Sequence, residues 1–211
     1  MNQKVGAQLA SDFVRVRAET EALAAPLSAE DQAAQSMPDA SPTKWHRAHT
    51  TWFFEQFVLG QDSAYRPYDA RWHYLFNSYY QSVGPMHARP QRGMLSRPTL
   101  QQVLDYRAHV DVHMADLLTA CDDPTIHARV TLGLHHEQQH QELFLTDLKH
   151  LLSLNPLEPA YRPRAPHRVG VEAIPLRFID GPEGVAQIGH DGDGFAFDCE
   201  SPRHRQWLHP H

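Results

Sequence analysis

Four stretches of this sequence place apolar side chains at helical spacing, which points to a helical bundle before anything else is considered. Residues 4–24 carry Leu9, Phe13, Val16 and Leu23 near that spacing, and Pro26 ends the run. A second helix is predicted to open after Ser41 with Pro42 at its first position, and to stop at Gly60. Thr99 caps a third over 99–121, whose stripe is Leu100, Val103, Val110, Met114, Leu117 and Cys121. A fourth runs over 124–153 and ends before Pro156. Together they predict an all-α, up-down four-helix bundle over residues 1–154. Between them, Ser28-Ala-Glu-Asp31 reads as a short capped helix. Residues 61–98 read as irregular, with Pro and Gly around a short aromatic segment at 74–80.

The character changes after the fourth helix. Pro156, Pro159, Pro163 and Pro166 in a polar run mark 155–173 as a linker. Beyond it, Pro175 to Gly181 reads as a strand and turn, Asp191-Gly-Asp-Gly194 as a tight turn, and Phe195-Ala-Phe197 as the start of another strand. Residues 174–211 are too few to bury a core of their own, so they are expected to be the β-rich opening of a second domain.

Composition narrows the function. The chain has 211 residues, 41% apolar and 21% charged, which excludes collagen, a disulfide scaffold and wholesale disorder. A net charge of −6 argues against a nucleic-acid partner held by a basic field. No apolar run is long enough to cross a membrane, and the start, Met1 to Ala10, has no signal-peptide core. With only Cys121 and Cys199 and no Cys-x-x-Cys, a thiolate metal site is disfavoured and a reducing cytoplasm is the expected compartment.

The chain holds 16 histidines, and some fall at ligand spacing. His136 and His140 are four apart in Leu134-His-His-Glu-Gln-Gln-His140, so both leave one face of the fourth helix. On the second helix His49 shares the inward stripe of Trp45, Ala48, Trp52 and Gln56, while His46 is rotated away from it. Trp45 and Trp52 are read as core. One inward histidine facing an inward pair makes a three-imidazole site within a bundle. The run is also a literal His-Glu-x-x-His, in which Glu137 would be the base of a zinc hydrolase. The extended zinc-protease form fails, because positions 143 and 146 hold Leu143 and Thr146. Glu137 and His140 also fit half of a di-iron carboxylate site, but no second Glu-x-x-His exists.

These segments together resemble a known family, the iron-dependent sulfoxide synthases of ergothioneine biosynthesis. The resemblance lies in Ser41-Pro-Thr-Lys-Trp-His-Arg-Ala-His-Thr-Thr-Trp-Phe-Phe-Glu55, in Leu134 to Leu143, and in Arg89-Pro-Gln-Arg-Gly-Met-Leu-Ser-Arg-Pro98. It continues in Gln187 to Asp198 and Pro202 to Arg205, which are similar to the opening of that family's second, formylglycine-generating-enzyme-like domain. The resemblance implies a DinB-like bundle in which His49, His136 and His140 hold Fe(2+). It implies a reaction joining the imidazole C2 of hercynine to the thiol of gamma-glutamylcysteine with O2, giving a sulfoxide. Arg89 and Arg92 would hold the thiol substrate's carboxylates in bidentate forks, and Gln138 or Gln139 would reach a bound imidazole.

The chemistry is consistent with that assignment. Three neutral imidazoles leave the whole metal charge uncompensated, which favours binding the sulfur donor as a thiolate. Imidazole suits iron and zinc alike, so ligand type alone does not choose the metal. By the same resemblance the chain reads as truncated, the catalytic tyrosine lies beyond residue 211, and the incomplete second domain could support self-association. A selenoneine synthase or an ovothiol-type synthase shares the architecture. From other classes, a non-catalytic metal-binding bundle and a zinc hydrolase stay open.

Overall fold

The computed structural model describes residues 2–78, 83–163, 174–192 and 194–210. It divides into two units, Met1–Arg164 and Ala165–His211. The first is built on α1 (Asn2–Ala24), α2 (Thr43–Phe57), the short α3 (Trp72–Phe76), α4 (Leu100–Ala120) and α5 (Pro124–Ser153). The four long helices form a bundle in which α1 and α2 each pack on both α4 and α5. Their inward faces supply the core: Phe13 and Val16, Trp52 and Phe54, Val103, Tyr106, Val110 and Met114, then Val130 and Leu134. Among the described residues no helix is long and apolar enough to cross a membrane.

Bonds across the helix interfaces correct the expected up-down order. His46 meets His140 and His49 meets His136, so α2 and α5 are antiparallel. Gly6 faces His127 and Arg17 meets Glu137, so α1 and α5 are parallel. Arg107 reaches Thr51 while Val58 and Leu59 share a cavity wall with His113 and Leu117, so α2 and α4 are also parallel. The chain therefore runs up, down, down, up. The segment between α2 and α4 is long enough to return along the bundle, where a tight loop would have forced reversal.

That crossover also explains the burial of α2, whose residues Thr43 to Glu55 are all shielded from solvent. α3 packs on α2, Lys44 Nζ donates to Leu95 O at 2.7 Å and Trp45 Nε1 donates to Leu75 O at 3.1 Å. A helix covered on every side must find partners for its polar groups internally, and these bonds do so for Lys44 and Trp45.

The helix termini follow their cap residues. Thr99 and Gln102 form a reciprocal capping box on α4, and Asp123 accepts from Thr125 N ahead of Pro124 on α5. Pro42 sits at the N-cap of α2, one residue earlier than predicted, and α2 ends at Phe57. A 3-10 turn at Leu59–Gln61 follows it. Ser28 and Asp31 make the two reciprocal capping bonds, yet only a turn follows them. Within the aromatic segment, Tyr79 and Tyr80 lie outside the described residues.

Of the predicted linker, 164–173 lies outside the described residues, and Tyr161 donates to Leu23 O at 2.6 Å, tying the preceding part to α1. In the second unit β1 (Gly184–Ile188) and β2 (His204–Leu208) pair antiparallel, Gly184 opposite Leu208 and Ile188 opposite His204. The strands predicted at 175–181 and from Phe195 are not formed. A strand needs a partner for its backbone groups, and Leu176, Phe178 and Ile179 are exposed, with no strand paired to them among the described residues. Phe195 and Phe197 instead pack edge to face at 4.9 Å. After β1, Gly189, Gly192 and Gly194 all have positive φ, while Asp193, within the predicted turn, lies outside the described residues.

Candidate metal centre

His49 sits where the stripe of α2 predicts, fully buried between two indoles. Its ring stacks on Trp45 at 4.6 Å and on Trp52 at 5.5 Å, both indoles being buried core as read from sequence. The guanidinium of Arg92 covers the Trp45 ring at 3.4 Å. Below the stack, His49 Nδ1 lies 2.5 Å from Phe76 O. A carbonyl only accepts, so Nδ1 carries the proton and Nε2 presents its lone pair.

Two turns of α5 bring the partners. His136 and His140 stand one helical turn apart, with ring centres 4.6 Å from each other and 4.9 and 4.7 Å from His49. One ligand nitrogen from each of the three falls within 4.8 Å of the others. His49 Nε2 and His136 Nε2 are 3.2 Å apart. At a metal–nitrogen bond of ~2.1 Å, two cis ligands stand ~3.0–3.4 Å apart, so this pair already has the spacing of neighbours around one ion. The three residues fit a divalent transition metal.

The protonation states favour it as well. Burial pushes the pKa of His49 well below the usual histidine range, and neighbouring His136 pushes it further. Burial likewise lowers His140 strongly and brings His136 down to about 4. All three are neutral at pH 7, so a metal ion need not displace protons from imidazolium.

A cavity of about 350 Å³ opens onto these rings, lined also by Ser41, His46, Ser78, Arg89, Arg92 and Asp147. That is the lower range of small-molecule pockets. Both predicted arginines thus reach the site, from the 3-10 helix Arg89–Met94. Arg92 is buried and donates to Ser41 Oγ and Ser78 Oγ, each at 2.9 Å. Gln138 and Gln139 do not reach it. Both are exposed and neither lines the cavity: at ~100° per residue Gln138 falls on the side opposite the His136–His140 pair, and Gln139 stands roughly 80° to one side of it.

Glu137 is equally absent from the cavity, which removes it as the base of a zinc hydrolase. It is fully buried among the helices, where Oε1 accepts from Thr20 at 2.6 Å and Arg107 at 3.0 Å and Oε2 accepts from Arg17 at 2.9 Å. Burial alone would raise its pKa, but Arg17 and Arg107 with the Thr20 bond bring it down to about 2. Arg17 also pairs with Asp111 and Arg107 with Glu21, each at 2.7 Å, so Glu137 is the hub of a buried ionic network behind the metal ligands.

Sequence reasoning missed His46 and Asp147. His46 is buried beside the site, with Nδ1 2.8 Å from His140 Nδ1 and Nε2 3.0 Å from Asp147 Oδ2. It was set aside because α2 was expected to bury one stripe only. Asp147 carried a readable signal, lying seven residues after His140 on the same helical face. The carbonyl of Phe76 and the hydroxyl of Ser78 carried none, since the crossover brings them in from afar. No protein-family model matches the chain, and no curated protein matches it.

Proposed function

We propose that this chain carries the metal-binding bundle, DinB-like in fold, of an iron-dependent sulfoxide synthase of the ergothioneine type. The observation that carries the reading is the convergence of three neutral imidazoles, His49, His136 and His140, on one point of a cavity walled by Arg89 and Arg92. A ferrous ion held there would supply the activation of O2 and a binding position for the sulfur donor as thiolate. The chain's own residues do the rest. Phe76 O fixes the tautomer of His49, and the two indoles fix its plane. The two arginines give the cavity a cationic wall suited to the carboxylates of hercynine and of gamma-glutamylcysteine. The wall and the shielded rings orient two charged substrates side by side, which turns an encounter of several components into a local one.

The test is anaerobic titration with Fe(II), then with hercynine. One ion per chain is expected, lost in His49→Ala, His136→Ala and His140→Ala. Hercynine should shift the visible bands of the Co(II)-loaded protein, and addition of gamma-glutamylcysteine and O2 to the iron form is read by mass spectrometry for the sulfoxide. A metal-loaded protein whose spectrum ignores hercynine, or one that hydrolyses esters or peptides with zinc under nitrogen, overturns the reading.

A further inference from the structure

We propose that His46 and Asp147 form an outer pair that fixes which nitrogen of His140 faces the metal and supplies the negative charge the three ligands lack. The inference rests on the three-histidine metal reading. Asp147 Oδ2 accepts the backbone N–H of Ser41 at 2.8 Å and lies 3.0 Å from His46 Nε2. A carboxylate beside an imidazole nitrogen accepts, so His46 Nε2 carries the proton and His46 Nδ1 is left with a lone pair. His140 Nδ1, 2.8 Å away, must then be the donor. The only nitrogen His140 has left to offer a metal beside His49 and His136 is Nε2. Each step follows from the one before, and the chain ends on an atom held by the backbone.

The pair does more than choose a tautomer. His49 reaches a neutral carbonyl through its outer nitrogen, whereas His140 reaches a carboxylate through one intervening ring. His46 is buried and the Asp147 side chain is only 13% exposed, so the chain works at low dielectric, where such bonds polarise one another. The polarisation makes His140 a stronger donor and places an anion near a cation whose three ligands are neutral. The pair also ties the antiparallel helices together at the ligands, since Ser41 just precedes α2, His46 lies in its first turn, and Asp147 and His140 come from α5.

The experiment is Co(II) binding to the full chain by competition with a chromophoric chelator, with far-UV circular dichroism to confirm that each metal-free variant is folded. His46→Phe and Asp147→Ala should each weaken Co(II) 10- to 100-fold, the usual loss for outer partners of metal ligands. Asp147→Asn keeps an oxygen for Ser41 and His46 but not the charge, so it should recover part of the affinity lost in Asp147→Ala. All three should shift the Co(II) absorption bands, which a merely structural role would not move. Folded variants binding within twofold of the parent, with unshifted bands, overturn the proposal. His136→Ala is run alongside: if it binds Co(II) as the parent does, the three-histidine reading itself fails. If it loses binding while His46→Phe and Asp147→Ala do not, only the outer pair is refuted.

Discussion

Glu137→Ala should be among the most destabilising single changes available in the bundle, although Glu137 touches nothing in the cavity. Its carboxylate is fully buried and accepts from Thr20, Arg17 and Arg107, and both arginines are 4% exposed in their side chains. Deleting it takes one of its anionic partners from each of two buried guanidinium groups. Breaking a buried pair by removing one partner costs about 3–5 kcal/mol. Arg17 keeps Asp111 and Arg107 keeps Glu21, which places the expected loss in the lower half of that range. Against a total stability of about 5–15 kcal/mol that is a large share. At about 2–4 °C per kcal/mol, the metal-free Ala variant should melt about 6–16 °C below the parent.

Glu137→Gln separates the charge from the shape. It keeps an acceptor but loses charge-assisted bonds worth about 1.5–3 kcal/mol. Thermal unfolding followed by circular dichroism on metal-free protein, with Co(II) stoichiometry measured on the same samples, checks both. The Gln variant should still bind one ion per chain. Melting within 2 °C of the parent in Glu137→Ala would refute the network's structural role. Loss of a zinc-dependent hydrolysis in a Gln variant of parental stability would restore Glu137 as a base.

The remaining expectations concern packing, acid and a helix end. In Gly133→Ala the new Cβ would lie 2.5 Å from Phe54 Cε1 and 3.0 Å from Phe53 Cε1, so the buried rings or α5 must give way one turn before His136. A net loss of about 0–2 kcal/mol, the overpacking cost less the gain in helix propensity, should come with weaker Co(II) binding. Thr99→Ala removes the capping box of α4 and should cost about 1 kcal/mol without changing metal affinity. The metal-free protein should lose stability as pH falls below 6.5. His136, with its pKa depressed from 6.5 to about 4, leaves the unfolded state binding more protons across that window, at about 1.4 kcal/mol per pH unit. His46, His49 and His140 are depressed in the same direction and steepen the slope. The contribution of Glu137, whose pKa is lowered from 4.5 to about 2, is fully present above pH 4.5 and is lost only below it. A flat stability between pH 6.5 and 4 in urea titrations would refute the histidine assignment.

The sequence made the long helices legible because each has a stripe and a punctuating residue, and α5 was read to its observed bounds, Pro124–Ser153. It did not make helix direction legible. Periodicity says which face is buried, not which way the chain returns, and the length of the crossover decided that. The second unit was read poorly for a related reason. An apolar run such as Leu176 to Ile179 has strand composition, but strand structure belongs to a pair, and the pairing fell to Gly184–Ile188 and His204–Leu208.

The candidate site divides along the same line. His136 and His140 were certain to share a face, because four residues on a helix is a geometric relation internal to one element. His49 followed from the stripe of Trp45 and Trp52. His46 was lost because the stripe argument assumes that one side of a helix meets water, and α2 meets none from Thr43 to Glu55. Once a helix is covered all round, the direction of each side chain is set by what covers it. On one side of α2 the cover is α5, which brings Asp147 to His46; on the other it is the crossover, which brings Phe76 O to His49. The two histidines three residues apart therefore acquire opposite duties from their partners rather than from their spacing: one offers a lone pair to the cavity, and the other orients a ligand from behind. A helix whose polar residues are buried from Thr43 to Glu55, most of them bonded, is itself the sign that both faces are in use. The histidine with a carboxylate beyond it is then the one to examine for an outer role.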